Sequence, residues 1–169
     1  LPMKSVSESM RLRNTILQNL ERAETEDNKA RKQALMNIAI VGGGPSGVEI
    51  AGVLAEMKQT ILPRDYPDLD TSCMHIYLIN ATPRLLGAMS EHSSREAEKA
   101  LKELGVEVMT NCMVTDYVDK ELVLKDGQRI SAETVIWVSG IKANNIDGIP
   151  PESIGHAGRI LVDRFNRVK

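Results

Sequence analysis

Asn37-Ile38-Ala39-Ile40-Val41-Gly42-Gly43-Gly44-Pro45-Ser46-Gly47-Val48-Glu49-Ile50-Ala51-Gly52 is the stretch that decides the fold. Its first five residues are a short, β-branched, apolar run, the pattern of a strand buried on both faces. From Val48 the apolar letters recur at helical spacing. Gly42, Gly44 and Gly47 between them satisfy G-x-G-x-x-G, placed after a strand and opening a helix. Each glycine has a separate task. Gly42 makes the tight turn out of the strand, Gly44 lets a pyrophosphate approach the backbone, and Gly47 lets helix and strand pack closely. Pro45 suits the first helical position, where its missing N–H is no loss. Free amides, Ser46 among them, and the helix dipole then favour an anionic phosphate. The bland alternative is a glycine turn that only packs a helix on a strand; the β-α-β order around it favours dinucleotide binding.

Outward from this loop the chain spells alternating elements. Ser5 to about Thr25 reads as an amphipathic helix, with Ser5 and Glu8 at capping-box spacing and Val6, Met10, Leu17 and Leu20 as its apolar stripe. Glu24 to Lys32 is charged and reads as a solvated helical turn or linker. Leu62 to Thr71, with two prolines and three aspartates, reads as a loop. Met74 to Ile79 is a second strand. Ser90 to Leu104 is a helix with Ala97, Ala100, Leu101 and Leu104 inward and Gly105 as its stop. Val106 to Met109 is a third strand. Val114 to Val118, Glu121 to Lys125 and Arg129 to Ser131 form a meander turning at Asp126-Gly127. Thr134 to Val138 is a returning apolar strand. The fold class is therefore α/β: a Rossmann-like, three-layer dinucleotide-binding fold, a parallel sheet with a small antiparallel β-meander.

Composition bounds the rest. The chain has 169 residues, 42% apolar and 26% charged, with a formal charge of -2, which gives no electrostatic reason to expect nucleic acid or an anionic membrane. One Trp and one Phe argue against base-stacking platforms. Cys73 and Cys112 have no metal or redox spacing and read as reduced core thiols of a cytoplasmic protein. No apolar run reaches the roughly 20 residues of a membrane helix, and no signal peptide is read. No metal site is expected, and His75, His92 and His156 read as structural or surface residues. Trp137 reads as core. The ends, Leu1 and Val168-Lys169, carry no terminating feature, as in a piece excised from a longer chain.

The dinucleotide fingerprint also wants an acid at the end of the second strand, to accept ribose hydroxyls. Asn80 stands there instead. An amide can still bond a ribose hydroxyl but does not repel a 2′-phosphate, and Arg84 nearby could attract one. NADH against NADPH therefore stays open on these residues.

With the glycine loop through Gly52, the insertion from about Met57 to Thr71, Pro83-Arg84-Leu85-Leu86, and Thr134-Val135-Ile136-Trp137-Val138-Ser139-Gly140 all in hand, the chain resembles the type II NADH:quinone oxidoreductases. These belong to the two-dinucleotide-fold flavoprotein superfamily that includes the disulfide reductases. The likeness runs over nearly the whole chain, including Leu12-Arg13-Asn14 in the first helix. It implies an organisation of 1–34 as lead-in from an FAD segment, 35–145 as NADH-binding domain, and 146–169 as return towards the FAD portion. The FAD glycine loop and the later Gly-Asp motif are not in the chain. The resemblance further implies NADH as bound cofactor, FAD carried elsewhere in the parent, hydride transfer between them, and a quinone as acceptor. It implies a parent peripheral on the cytoplasmic face of the membrane, with room for a homodimer, and a fragment inactive alone.

By the same resemblance Gly44, Pro45 and Ser46 hold the pyrophosphate and Glu49 lies near the nicotinamide end. Asn80 meets the adenosine ribose, Val114 borders the adenine, and Gly140 permits close approach of the dinucleotide. Each has a plainer alternative: Glu49 as a first-turn acid, Val114 as core, Gly140 as a strand stop. Other readings are another FAD-dependent reductase of the superfamily, such as a nitrite or ferredoxin reductase, or a non-catalytic NADH-sensing module. An S-adenosylmethionine-dependent methyltransferase is disfavoured by the meander and by Pro45.

Overall fold

The glycine loop joins β1 (Ile38–Val41) to α3 (Pro45–Thr60), in a computed structural model that describes residues 1, 5–140 and 143–169. Before it come α1 (Val6–Glu24) and α2 (Lys29–Met36); after it come α4 (Leu62–Asp65), β2 (Ile76–Ile79), α5 (Glu91–Glu103) and β3 (Glu107–Met109). Then follow β4 (Val114–Val118), β5 (Glu121–Leu124), β6 (Arg129–Ser131) and β7 (Thr134–Trp137). The chain divides into two compact units, Leu1–Ser139 and Gly140–Lys169.

In the first unit the parallel sheet runs β3-β2-β1-β7, with Val41 in register with Ile79 on one side and Trp137 on the other. The antiparallel meander β4-β5-β6 is a separate sheet. Strand alternation sends successive side chains to opposite faces, and the two faces carry two different cores. Ile38, Ile40, Leu78 and Ile136 pack with Leu12, Ile16 and Leu20 of α1 and Ala51, Leu54 and Ala55 of α3. Ala39, Val41, Ile79 and Val135 pack with Leu122, Leu124 and Ile130 of the meander. The result is helices, parallel sheet and meander in three layers, as the residue pattern predicts.

Several local expectations hold on chemistry alone. Ser5 N–H donates to Glu8 Oε2 at 3.0 Å and Glu8 N–H to Ser5 Oγ at 3.3 Å, a complete capping box. Ser90 Oγ accepts from Ser93 N–H at 3.1 Å to start α5, and Gly105, at φ +80, ends it. Gly127, at φ +89, makes the meander turn.

Others are corrected. The buried face of α1 is Leu12, Ile16, Asn19, Leu20 and Ala23, while Val6 is 79% exposed and Met10 is exposed too. Asn19 hid this stripe: a polar letter can be buried because its Nδ2 donates to Thr134 Oγ1 at 3.0 Å. Of the two readings of the charged run after α1, the helical one holds from Lys29, and Asn28 Oδ1 accepts from Arg31 N–H and caps α2. The expected loop after Ile61 begins with the short helix α4, whose Pro63 sits in the first turn where proline is tolerated. In α5, Ser94 is buried through a 2.7 Å bond to the Leu85 carbonyl, and Ala100 is exposed. Cys73 is exposed and Cys112 half-buried, so neither is a core thiol. Trp137 is also not core: the strand end leaves its ring 45% exposed.

The second unit holds short 3-10 turns at Pro151–Ser153 and His156–Gly158, with antiparallel bridges pairing Ile154 with Ile160 and Val162 with Val168. Ser153 Oγ donates to the Lys169 carbonyl.

Candidate functional site

In an open parallel sheet, ligands bind beyond the carboxyl ends of the strands where the strand order reverses. Here β1 is that strand: its helical crossover leads to β2 on one side, and β7 lies on the other. The glycine loop leaves β1 at this point. Gly42 takes φ +124, and its N–H donates to the Ile79 carbonyl at 2.8 Å. Gly47 faces it so closely that a Cβ there would lie 1.8 Å from the Gly42 oxygen. This contact welds helix to strand.

Gly44 is different. It is the N-cap of α3, exposed, with no side-chain cap bond, and a Cβ built on it meets nothing within 4 Å. Its glycine is therefore not demanded by packing. Pro45 and Ser46 beside it are exposed as well. An uncapped N-terminus on a helix of 16 residues presents unsatisfied amides and the positive end of the dipole to whatever occupies that space. These features fit a dinucleotide pyrophosphate.

Gly43, to which the G-x-G-x-x-G pattern gives no role, is clamped from both sides. Its N–H donates to Asn80 Oδ1 at 3.1 Å, and its carbonyl accepts from Leu86 N–H at 2.7 Å. A Cβ on it would lie 2.6 Å from Leu85 Cδ2 and 2.7 Å from Asn80 Cγ. The signal available in sequence was only its place in the middle of three consecutive glycines. Asn80 itself follows β2, as expected, and its Nδ2 donates within its own loop, to Thr82 O at 3.1 Å, Thr82 Oγ1 at 2.8 Å and Arg84 O at 3.0 Å.

Glu49 is exposed in the second turn of α3, at the rim of an apolar hollow of about 310 Å³ lined by Leu12, Ile16, Ile50 and Val53 among others. Val114 starts β4. Its side chain is buried in the core under the meander. Met113 next to it is 51% exposed and lines, with Asn111, Cys112, Leu124, Lys125 and Asp126, a hollow of about 220 Å³. That segment is tied to the end of β2 by Cys112 N–H on the Asn80 carbonyl at 2.9 Å. Burial, then the charge of Asp126, push the Cys112 thiol up. Gly140 opens the second unit with φ +77. Among the described residues no group of three or more His, Cys, Asp or Glu is placed to hold a metal ion, and no helix is long and apolar enough to cross a membrane.

The sequence profile described as pyridine nucleotide-disulphide oxidoreductase matches residues 7–169. The chain is 30% identical over 171 residues to the type II NADH:quinone oxidoreductase Ndh of Mycobacterium tuberculosis, which covers 99% of this chain and 36% of that protein. It is 37% identical over 111 residues to the type II NADH:quinone oxidoreductase of Haemophilus influenzae, 66% of this chain and 25% of that protein. The structure of NDH2 from Plasmodium falciparum in complex with NADH superposes with a TM-score of 0.81 at 21% identity, over 95% of this chain and 34% of that one. The chain thus spans about a third of the length of such relatives.

Proposed function

Because the chain belongs to the pyridine nucleotide-disulphide oxidoreductase family, we propose that it is the NADH-binding portion of a flavin-dependent NADH:quinone oxidoreductase. The observation that carries this is Gly44: an exposed helix start at the strand-order reversal, with open space where a Cβ would stand. The pyrophosphate rests on Gly44, Pro45 and Ser46, while Gly42 and Gly47 hold the turn. Glu49 borders the nicotinamide half. The adenosine half runs past the end of β2 towards Asn111–Met113, with Met113 rather than the buried Val114 as the bordering side chain.

The domain's contribution is positioning: it fixes the nicotinamide so that hydride donation needs no further search. FAD, held by the remainder of the protein, supplies the acceptor chemistry through which electrons pass to a quinone. The isolated chain therefore binds without turning over. The whole protein is peripheral on the cytoplasmic face of the membrane, and its homodimer is part of the same proposal.

Trp137, the single tryptophan, ends β7 in register with Val41, the residue before the loop. Its emission overlaps the absorption of reduced nicotinamide, so bound NADH quenches it by energy transfer. Titration of the chain with NADH should give saturable quenching with sensitised nicotinamide emission, and FAD should give none. Absence of saturable NADH binding by the folded chain would remove this reading.

A further inference from the structure

Leu86 is a buried leucine whose backbone stands at φ +50. In that left-handed region the Cβ of an L residue crowds the following carbonyl oxygen, and only glycine, or occasionally Asn and Asp, sits there routinely. Asn111, Asp119, Lys120 and Asn166 share the region, but all four are exposed. Leu86 holds it with its side chain in the helix-side core, together with Leu85. A glycine stands next to it at Gly87, with open space where a Cβ would be, yet the left-handed turn falls on the leucine. A disfavoured conformation that is overdetermined in a loop beside a ligand site points to a task.

The turn at Leu86 aims its N–H at the Gly43 carbonyl, 2.7 Å away. On its other side Gly43 donates its own N–H to Asn80 Oδ1 at 3.1 Å. The Gly43 carbonyl shares a peptide unit with the Gly44 N–H, and a planar trans peptide points the two in opposite directions. Fixing the carbonyl towards Leu86 therefore sends the Gly44 N–H to the side away from the β2–α5 loop. A glycine-glycine peptide has no Cβ on either side to restrict it. Without the bond from Leu86 the unit is free to flip and present its carbonyl oxygen instead. For an anion the two faces are opposite: the N–H attracts it and the carbonyl repels it.

We propose that Leu86 is a positioning residue for the dinucleotide: its left-handed backbone holds the Gly43–Gly44 peptide with the Gly44 amide, and not the Gly43 carbonyl, towards the phosphates. The proposal rests on the dinucleotide reading above and adds to it a residue outside the G-x-G-x-x-G pattern. Backbone and side chain of Leu86 have separate tasks. The isobutyl group anchors the loop in the core, and the N–H sets the peptide.

Two substitutions separate these tasks. Leu86→Gly keeps the left-handed backbone and discards the anchor. Leu86→Val keeps an apolar side chain, but its branched Cβ resists the left-handed region. The chain is titrated with NADH and with ADP-ribose, which shares the pyrophosphate, alongside circular dichroism melts and amide exchange at position 86. Leu86→Gly should melt below both the native chain and Leu86→Val, yet bind both ligands within about threefold of native, with the amide still protected. Leu86→Val should weaken both ligands by about tenfold or more, and its amide should exchange faster. A residue that only stabilised the fold would not set the order of affinities against the order of melting. Affinity within about threefold of native in Leu86→Val would overturn the proposal, as would weaker binding by Leu86→Gly than by Leu86→Val. Should either variant fail to fold, Leu86→Asn replaces the first and Leu86→Ile the second, for the same backbone preferences. Loss of both ligands from the folded native chain would instead defeat the binding reading itself.

Discussion

The carbonyl oxygen of Gly42 occupies the place where a Cβ on Gly47 would stand, 1.8 Å from its ideal position. Neither partner can yield cheaply. Gly42 is fixed by its bond to Ile79 and its φ of +124, and Gly47 is buried in the first turn of α3. Gly47→Ala must push helix from strand, and should destabilise the chain by about 3 kcal/mol or more. Gly44→Ala adds the same methyl where nothing lies within 4 Å. It should change stability by about 1 kcal/mol or less, yet weaken dinucleotide binding by about tenfold. Urea denaturation and a NADH titration on both variants separate the two roles. Equal loss of stability in both would mean that the open space at Gly44 is not a ligand space.

Asn19 and Thr134 form a side-chain bond by which α1 reaches into the sheet's buried layer, Nδ2 to Oγ1 at 3.0 Å with both residues buried. Thr134→Val keeps shape and removes the acceptor, leaving a buried amide proton to find another partner. The expected cost is about 1–3 kcal/mol. Asn19→Leu in the Thr134→Val background should recover part of it, because two apolar groups satisfy each other. A double-mutant cycle by urea denaturation measures the coupling, and a coupling near zero would remove this bond from the account of how α1 is held.

These pairs mark where sequence was and was not enough. The glycine loop, the strands, the capping box at Ser5 and the turn at Gly127 depend on residues a few positions apart, so their chemistry is written locally. Asn19 and Gly43 depend on partners far along the chain, Thr134 and Asn80, and Ser94 on Leu85 outside its own helix. A buried polar residue looks like a surface residue until its partner is placed. Trp137 misled in the opposite direction. Its strand is apolar after Thr134, but the sheet ends at that residue and nothing covers it fully. The same limit applies to Asn80, legible as the strand-end position but not as the acceptor of the Gly43 N–H.

The alkaline limb of stability should be steep. Burial, aided by Glu21 and Glu24 near Tyr66, by Glu107 near Tyr77 and by Glu133 near Tyr117, raises all three phenols, and Cys112 is raised as well. The folded chain thus holds protons that the unfolded chain releases at ordinary values of about 10 for phenols and about 8.5 for the thiol. Stability is then fully present below those values and is lost as pH rises through the folded values. Denaturation midpoints should fall above about pH 9 while changing little from these groups near neutrality. Tyrosinate absorbance checks the sign: the folded chain should titrate later than the chain in urea. Coincident curves would show that the phenols are not held.

Met113 and Val114 are neighbours with opposite surroundings, and substitution should divide their roles. Val114 is buried against Leu122 and Leu124, while Met113 lines the hollow beside Asn111 and Lys125. Val114→Ala removes two buried carbons and should lower stability by about 1–2 kcal/mol. At dinucleotide saturation its affinity should stay within about threefold of the native chain. Met113→Ala removes an exposed thioether and should leave stability within about 0.5 kcal/mol. If the adenine rests over this hollow, Met113→Ala should weaken NADH, NADPH and ADP-ribose alike by about threefold to tenfold, since all three share the adenosine end. Nicotinamide mononucleotide, which lacks that end, should be unaffected. A loss confined to Val114→Ala would return the adenine to the meander side of β4 and leave Met113 as plain surface.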